Sequence, residues 1–315
     1  MTDLAILTEA GGAVGYGHLM RCLAIANNTD AVLYVNGDGD YPKNNCSKEY
    51  SWRTHLHAFI SAHPASLSVL VDSYLADSHA YEILANYFNH VSVLDDYNRL
   101  KYPVDLIINP GIELPCYKNQ NAKVVGGSKY IILRDEIIQQ DKKSGYHGYQ
   151  EILVTLGGRE SSAVYDWLVP LLEEHCFTSI KIVTGNNENI SSLSKKFNDP
   201  VIEWFGKVDA EKIAELMYQT NICISAGGQT LHELAYIGVP TICIKTGEDQ
   251  EYNIAGYVKA GFLQENLSLT TCCLPQKINK LLDAYNNIEL RQRTAEKGKV
   301  MVDGQGVKCI AEILL

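Results

Sequence analysis

Apolar residues fall in short runs along this chain, and the runs alternate with stretches whose apolar positions recur every three or four residues. Residues 4–8, Leu-Ala-Ile-Leu-Thr, read as a strand. Residues 18–27 place Leu19, Cys22, Leu23 and Ala26 on one face and predict a helix. The same pattern predicts strands at 31–35, 68–71, 91–94, 106–108 and 130–133, with helices at 52–62 and 77–89. Residues 36–50 are polar, with Gly, Asp and Asn, and are expected to form a surface loop. A second series predicts strands at 152–155, 180–184, 201–204, 222–224 and 241–244. Its helices are expected at 162–174, 210–219, 229–237 and 250–260, with a helical tail from Leu274. Residues 139–150 are polar without an apolar period and read as the linker between the two series.

Strand–helix alternation implies parallel sheets with helices on both faces. The expected architecture is α/β, with two Rossmann-like, doubly wound domains at 1–140 and 150–300. Residues 301–315 are expected to form a closing helix that packs back towards the first domain. Two such domains in tandem place a ligand cleft between the C-terminal ends of their sheets.

Composition narrows the function classes. A length of 315 residues suits two domains better than one core, and 46% hydrophobic residues is ordinary for a globular protein. The formal net charge of -10 argues against broad affinity for nucleic acid or an anionic membrane. No apolar run is long enough to span a bilayer, and the first residues lack a signal-peptide pattern. Nine cysteines without regular spacing fit a reducing cytoplasm. Cys22, Cys223 and Cys243 fall on apolar positions and read as core. The adjacent Cys272 and Cys273 suit neither a zinc knuckle nor a simple disulfide. No metal or cofactor is expected, and the oligomeric state leaves no mark in the sequence.

The stretch 224–244 concentrates the candidate chemistry. An apolar strand runs into Ser225-Ala226-Gly227-Gly228, and a helix begins near Gln229 and Thr230. Glycines let backbone N–H groups approach a ligand, and the helix N-terminus favours a phosphate or diphosphate. Glu233, one turn in, can accept from ribose hydroxyls. The alternative is a tight connection whose glycines serve packing alone. His232, next to Glu233, points the other way and reads as surface.

A second candidate follows the first strand. Four glycines lie between Gly11 and Gly17, and His18 opens a helix. A helix N-terminus favours uncharged imidazole, as a general base requires. The alternative is a capping or packed histidine. Arg21, one turn on, either pairs with a phosphate, holds a carboxylate, or is structural.

Together these stretches resemble the nucleotide-sugar hydrolases of pseudaminic acid biosynthesis, which have the GT-B fold. The related spore-coat polysaccharide proteins and, more distantly, the MurG-type glycosyltransferases share the pattern. Gly15-Tyr-Gly-His-Leu-Met-Arg21 is like the family's G-x-G-H-x-x-R, and Val71-Asp-Ser-Tyr74 is like its aspartate–x–tyrosine strand end. Leu94-Asp-Asp96, Asp105-Leu-Ile-Ile-Asn109, Leu133-Arg-Asp-Glu136 and Leu156-Gly-Gly158 follow in the family's order. Residues 225–233 and Glu248-Asp-Gln250, with Asn253, resemble the nucleotide half shared with the transferases. The family's first strand usually ends in arginine-aspartate, where this chain has Thr8-Glu9.

The resemblance implies a metal-independent hydrolase that frees UDP from a UDP-linked diacetamido-trideoxy sugar, with no cofactor. It makes His18 the base that activates water. It assigns the sugar side to Gly15, Gly17, Arg21, Asp72, Tyr74, Gln250 and Asn253. It assigns UDP to Gly158, Val208, Ala226, Gly227, Gly228, Gln229, Thr230 and Glu233. Asp95 and Asp96 end a strand with side chains on opposite faces, so one is expected to cap a turn. A glycosyltransferase using the same donor is the alternative.

Overall fold

The first strand, Leu4–Ala10, is buried along its whole length and lies inside its sheet with a neighbouring strand on each side. The computed structural model describes residues 3–11, 14–37, 46–118, 120–146, 148–157, 162–185 and 190–315. The chain forms two compact units, Met1–Arg134 with Gly304–Leu315, and Asp135–Asp303.

In the first unit the strands are β1 (Leu4–Ala10), β2 (Val32–Gly37), β3 (Ser47–Glu49), β4 (Ser68–Asp72), β5 (His90–Leu94), β6 (Leu106–Asn109) and β7 (Lys123–Gly126). Their order is β3-β2-β1-β4-β5-β6-β7, and all pairs are parallel. Helices α1 (Gly17–Thr29), α2 (Leu56–Ser61) and α3 (Ser78–Tyr87) cover the sheet. Side chains alternate along a strand, so β1 feeds two cores. Leu4 and Ile6 pack with Leu19, Leu23 and Ile25 of α1, while Ala5 and Leu7 pack with Phe59 of α2 and Tyr81 of α3.

The second unit has strands β8 (Glu151–Thr155), β9 (Ser179–Val183), β10 (Ile202–Phe205), β11 (Ile222–Ala226), β12 (Thr241–Lys245) and β13 (Leu267–Ser268). They pair in parallel in the order β10-β9-β8-β11-β12-β13. Its helices are α4 (Asp135–Ile138), α5 (Tyr165–Glu173), α6 (Ile190–Lys196), α7 (Ala210–Gln219), α8 (Gln229–Ile237), α9 (Glu251–Ala260), α10 (Leu274–Tyr285) and α11 (Ile288–Met301). The final helix, α12 (Gly306–Leu314), belongs to the first unit, where Val307 and Ile310 join the core on α1.

Both sheets reverse their winding beside the first strand of the unit, between β1 and β4 and between β8 and β11. Loops leave such a point in opposite directions and open a crevice at the carboxyl ends of the strands.

The structure departs from the sequence reading at several places. The last strand of the first sheet is Lys123–Gly126, in register with β6, and not 130–133. Ile131, Ile132 and Leu133 are buried, but the sheet edge is taken before the chain reaches them. Residues 52–55 are turn, because Trp52 is drawn inward to donate its indole N–H to the Thr8 carbonyl at 2.7 Å. Strand β3 lies inside the expected loop at 36–50. The two units divide ahead of the polar segment 139–150. That segment is bound into the second unit, where Lys143 N–H donates to the Ile237 carbonyl and Arg291 donates to the carbonyls of Tyr146 and Gly148. Among the described residues no helix is long and apolar enough to cross a membrane.

Candidate functional site

In the first unit the loop after β1 is closed by mutual backbone hydrogen bonds between Gly11 and Gly15, 2.7 and 3.2 Å. Gly15 takes φ +74, a left-handed conformation that favours glycine. Gly17 is exposed and starts α1, which makes His18 the second helical residue.

His18 is buried to 5% exposure, and its Nδ1 lies 2.7 Å from Asp72 Oδ1 at the end of β4. The carboxylate can only accept, so Nδ1 is the donor of the pair, and in a neutral imidazole that leaves the lone pair on Nε2; Arg21 Nη2 also lies 3.3 Å from Nδ1. No hydrogen bond to Nε2 is found among the described residues. The Tyr74 ring and the imidazole pack in a T-shaped arrangement with centroids 4.2 Å apart.

Arg21 settles which of its alternatives holds. Its Nε and Nη2 donate to the two oxygens of Asp72, each at 2.6 Å. Its Nη1 donates to both oxygens of Asp96, at 2.8 and 3.0 Å. The guanidinium is thus bound to two carboxylates, an arrangement for positioning them. Burial pushes the Asp72 carboxyl up, but Arg21 and then His18 overcome it and hold the group well below the usual carboxylate range. Asp96 behaves alike: burial pushes it up, and Arg21 brings the net below the ordinary value. Burial would lower Arg21, yet Asp72 and Asp96 carry it well above its ordinary value. Cys22 donates its thiol to Asp72 at 3.3 Å, and burial pushes that thiol far up, so it is packing and not a nucleophile.

Two residues here were given no place in the site by the sequence reading. Asp96 receives Arg21 and also the Tyr74 hydroxyl. Glu9, the departure from the family pattern, is buried and accepts from Ser73 Oγ at 2.8 Å and from the Tyr74 and Leu75 N–H groups at 2.7 and 3.1 Å. It fixes the turn that presents Tyr74. Asp95 points the other way. It accepts from the Asn98 and Arg99 N–H groups and from the hydroxyls of Tyr102 and Tyr117, so it is the aspartate that caps a turn.

The second unit builds its counterpart mainly from backbone. Ala226 is buried at the end of β11, and Gly228, Gln229 and Thr230 are partly exposed at the start of α8. Gly228 is the N-cap, and no side chain caps the helix. The first N–H groups of a helix have no partner within it, so this end offers donors and a positive dipole. Gly227 does not serve as expected. Its N–H donates to Gln250 Oε1 at 3.1 Å, and a Cβ added there would lie 2.6 Å from Ile254 Cδ1. Its glycine is a packing requirement. Gln250, expected on the sugar, instead also accepts from the Thr246 N–H at 2.9 Å and so ties two loops together.

Glu233 is fully buried and interacts with a partner inside the protein. A carboxylate with no exposed surface does not reach a ribose in this conformation. His232 is buried as well, with Nδ1 2.8 Å from the Tyr257 hydroxyl, which corrects its reading as surface. Asn253, on α9, and Val208, between β10 and α7, are partly exposed. Gly158 lies outside the described residues. Among the described residues no group of acidic, histidine and cysteine side chains could hold a metal ion.

The model of the glycosyltransferase family 28 C-terminal domain matches residues 124–309, more than half of the chain. The chain is 24% identical over 309 residues to a Helicobacter pylori protein named pseudaminic acid cytidylyltransferase and UDP-2,4-diacetamido-2,4,6-trideoxy-beta-L-altropyranose hydrolase, covering 92% of this chain and 51% of that protein. The chain spans about half the length of the curated relatives it matches. Two solved structures share the fold. S. aureus MnaA, determined with UDP, aligns with TM-score 0.67 and 14% identity, over 98% of this chain and 95% of that one. Acinetobacter baumannii MurG aligns with TM-score 0.65 and 13% identity, over 99% and 98%. The fold is GT-B-like, two parallel-sheet Rossmann-like units, and the chain belongs to the family defined by the glycosyltransferase family 28 C-terminal domain.

Proposed function

We propose that the protein is a nucleotide-sugar hydrolase that cleaves the anomeric C–O bond of a UDP-linked sugar and releases UDP. The observation that carries this reading is the His18–Asp72 hydrogen bond. It supports the reading in which Nδ1 donates to Asp72 and a neutral imidazole offers Nε2 as the proton acceptor at the carboxyl end of the first sheet. Nε2 takes a proton from water as the water oxygen attacks the anomeric carbon. The C–O electron pair leaves with the diphosphate. Arg21 keeps Asp72 and Asp96 charged and in place. Tyr74, held through Glu9 and Asp96, packs against the imidazole and presents the sugar side together with Gly15 and Gly17. The N-terminus of α8, at Gly228, Gln229 and Thr230, takes the diphosphate, with Ala226 behind it and Val208 towards the uridine. Donors fixed before reaction stabilise developing charge without reorganising.

The Helicobacter pylori relative supports a UDP-linked diacetamido-trideoxy sugar as the substrate. The family model favours a second reading, a glycosyltransferase in which an acceptor hydroxyl replaces water. Purified protein is mixed with a panel of UDP-sugars and no acceptor, and free UDP is followed. Hydrolysis predicts UDP release with at least one sugar of the diacetamido-trideoxy class. Silence across the panel, with turnover restored by an acceptor, selects the transferase.

A further inference from the structure

Cys272 and Cys273 remain without a role in this chemistry. Three other cysteines, Cys22, Cys223 and Cys243, are buried and packed, but these two are exposed in the turn between β13 and α10. Neighbouring side chains on an extended backbone diverge. Here Cys273 adopts φ 56 and ψ 39, left-handed for a residue that has a Cβ, and the two Sγ atoms come within 3.5 Å. Cys273 is the N-cap of α10 and makes no side-chain cap hydrogen bond, so it is not there for capping. The turn is pinned around the pair. Ser268 N–H donates to Thr271 Oγ1 at 2.8 Å, Thr271 N–H to the Ser268 carbonyl at 2.9 Å, and Lys277 N–H to the Cys273 carbonyl at 3.1 Å.

We propose that Cys272 and Cys273 form a vicinal dithiol modification site that is oxidised by low-molecular-weight disulfides to a bridge between the two residues. One thiolate attacks the reagent's disulfide, forming a mixed disulfide and expelling one thiolate. The neighbouring thiolate attacks the protein sulfur of that mixed disulfide, closing the bridge and expelling the second. The two protons lost by the cysteines end on the two released thiols. The protein loses two electrons, and the reagent's disulfide gains them. Consecutive Cα atoms across a trans peptide stand about 3.8 Å apart, below the roughly 4.4–6.8 Å of ordinary bridges. The bridge is therefore strained, which suits a reversible modification better than a staple. The site is independent of the proposed hydrolysis.

The test uses the whole protein with oxidised glutathione as probe. Remaining thiols are alkylated under native conditions, and the peptide holding both residues is weighed. The proposal expects the peptide to lose two hydrogens and escape alkylation, with recovery on adding a small dithiol. In Cys272→Ser the same peptide should instead accumulate a glutathione adduct on Cys273, the trapped intermediate. A wild-type peptide that keeps one or two glutathione adducts, that is alkylated at both positions, or that is recovered cross-linked to another chain overturns the proposal.

Discussion

The two units wind their sheets alike and place chemistry at the same topological point, yet they furnish it differently. After β1 and β4 the first unit gathers side chains: an imidazole, a guanidinium, three carboxylates and a phenol, nearly all buried and each fixed by another. After β11 the second unit offers the start of α8, which no side chain caps, with Gln250 holding the loop. A network of charges is specific and easily broken by one substitution, because each group's burial depends on its partner. A helix terminus is less selective and tolerates change wherever no atom is displaced. The first arrangement suits proton transfer, the second a diphosphate.

That contrast can be broken at the first unit. His18→Asn keeps a polar side chain of similar reach and removes the base. Turnover should fall by about 100- to 10,000-fold while UDP affinity, measured by calorimetry, stays within roughly twofold. Equal losses in both would place His18 in binding and not in proton transfer. Asp72→Asn leaves Arg21 buried beside a neutral amide. An unfolding midpoint lower by the equivalent of about 3–5 kcal/mol is expected, with most activity lost as well.

Acid sharpens the same point. Asp72 has a folded-state pKa held below its unfolded value, so its contribution is complete above that unfolded value, about 3.9, and is lost as pH falls towards the folded one. The stability gap between wild type and Asp72→Asn should therefore narrow as pH drops below about 4 in denaturation series. A gap that widened there would mean the carboxylate is not the stabilising form.

At the second unit the two glycines separate packing from approach. Gly227→Ala drives a methyl into Ile254 and should cost about 1–3 kcal/mol of stability, with weaker UDP binding. Gly228→Ala meets nothing closer than Gln250 Nε2 at 3.9 Å, so its effect on stability should stay within about 0.5 kcal/mol. A reversed order would return Gly227 to the ligand.

Much of the fold could be read from periodicity. Helices α7 and α8 run over the very residues the pattern marked, because each has a clear apolar face and a clean stop. The short helices α4 and α6 and the edge strands β3, β7 and β13 carry too few residues to show a period and passed unseen. His18 and Arg21 were visible as types at a spacing. What joined them was not: Asp96 reaches Arg21 only because β5 pairs beside β4, and Gln250 reaches Gly227 across the β11 and β12 connections. Such contacts belong to sheet order and leave no local trace. His232 failed for the same reason, since its partner Tyr257 comes from another helix.

The central claim is that water activated by His18 attacks carbon and not phosphorus. Turnover of a UDP-sugar in water enriched in oxygen-18 tests it directly, with UDP analysed by mass spectrometry. The account predicts that the released UDP carries no label and that the new oxygen enters at the anomeric position of the sugar. A label on the UDP β-phosphate would contradict it.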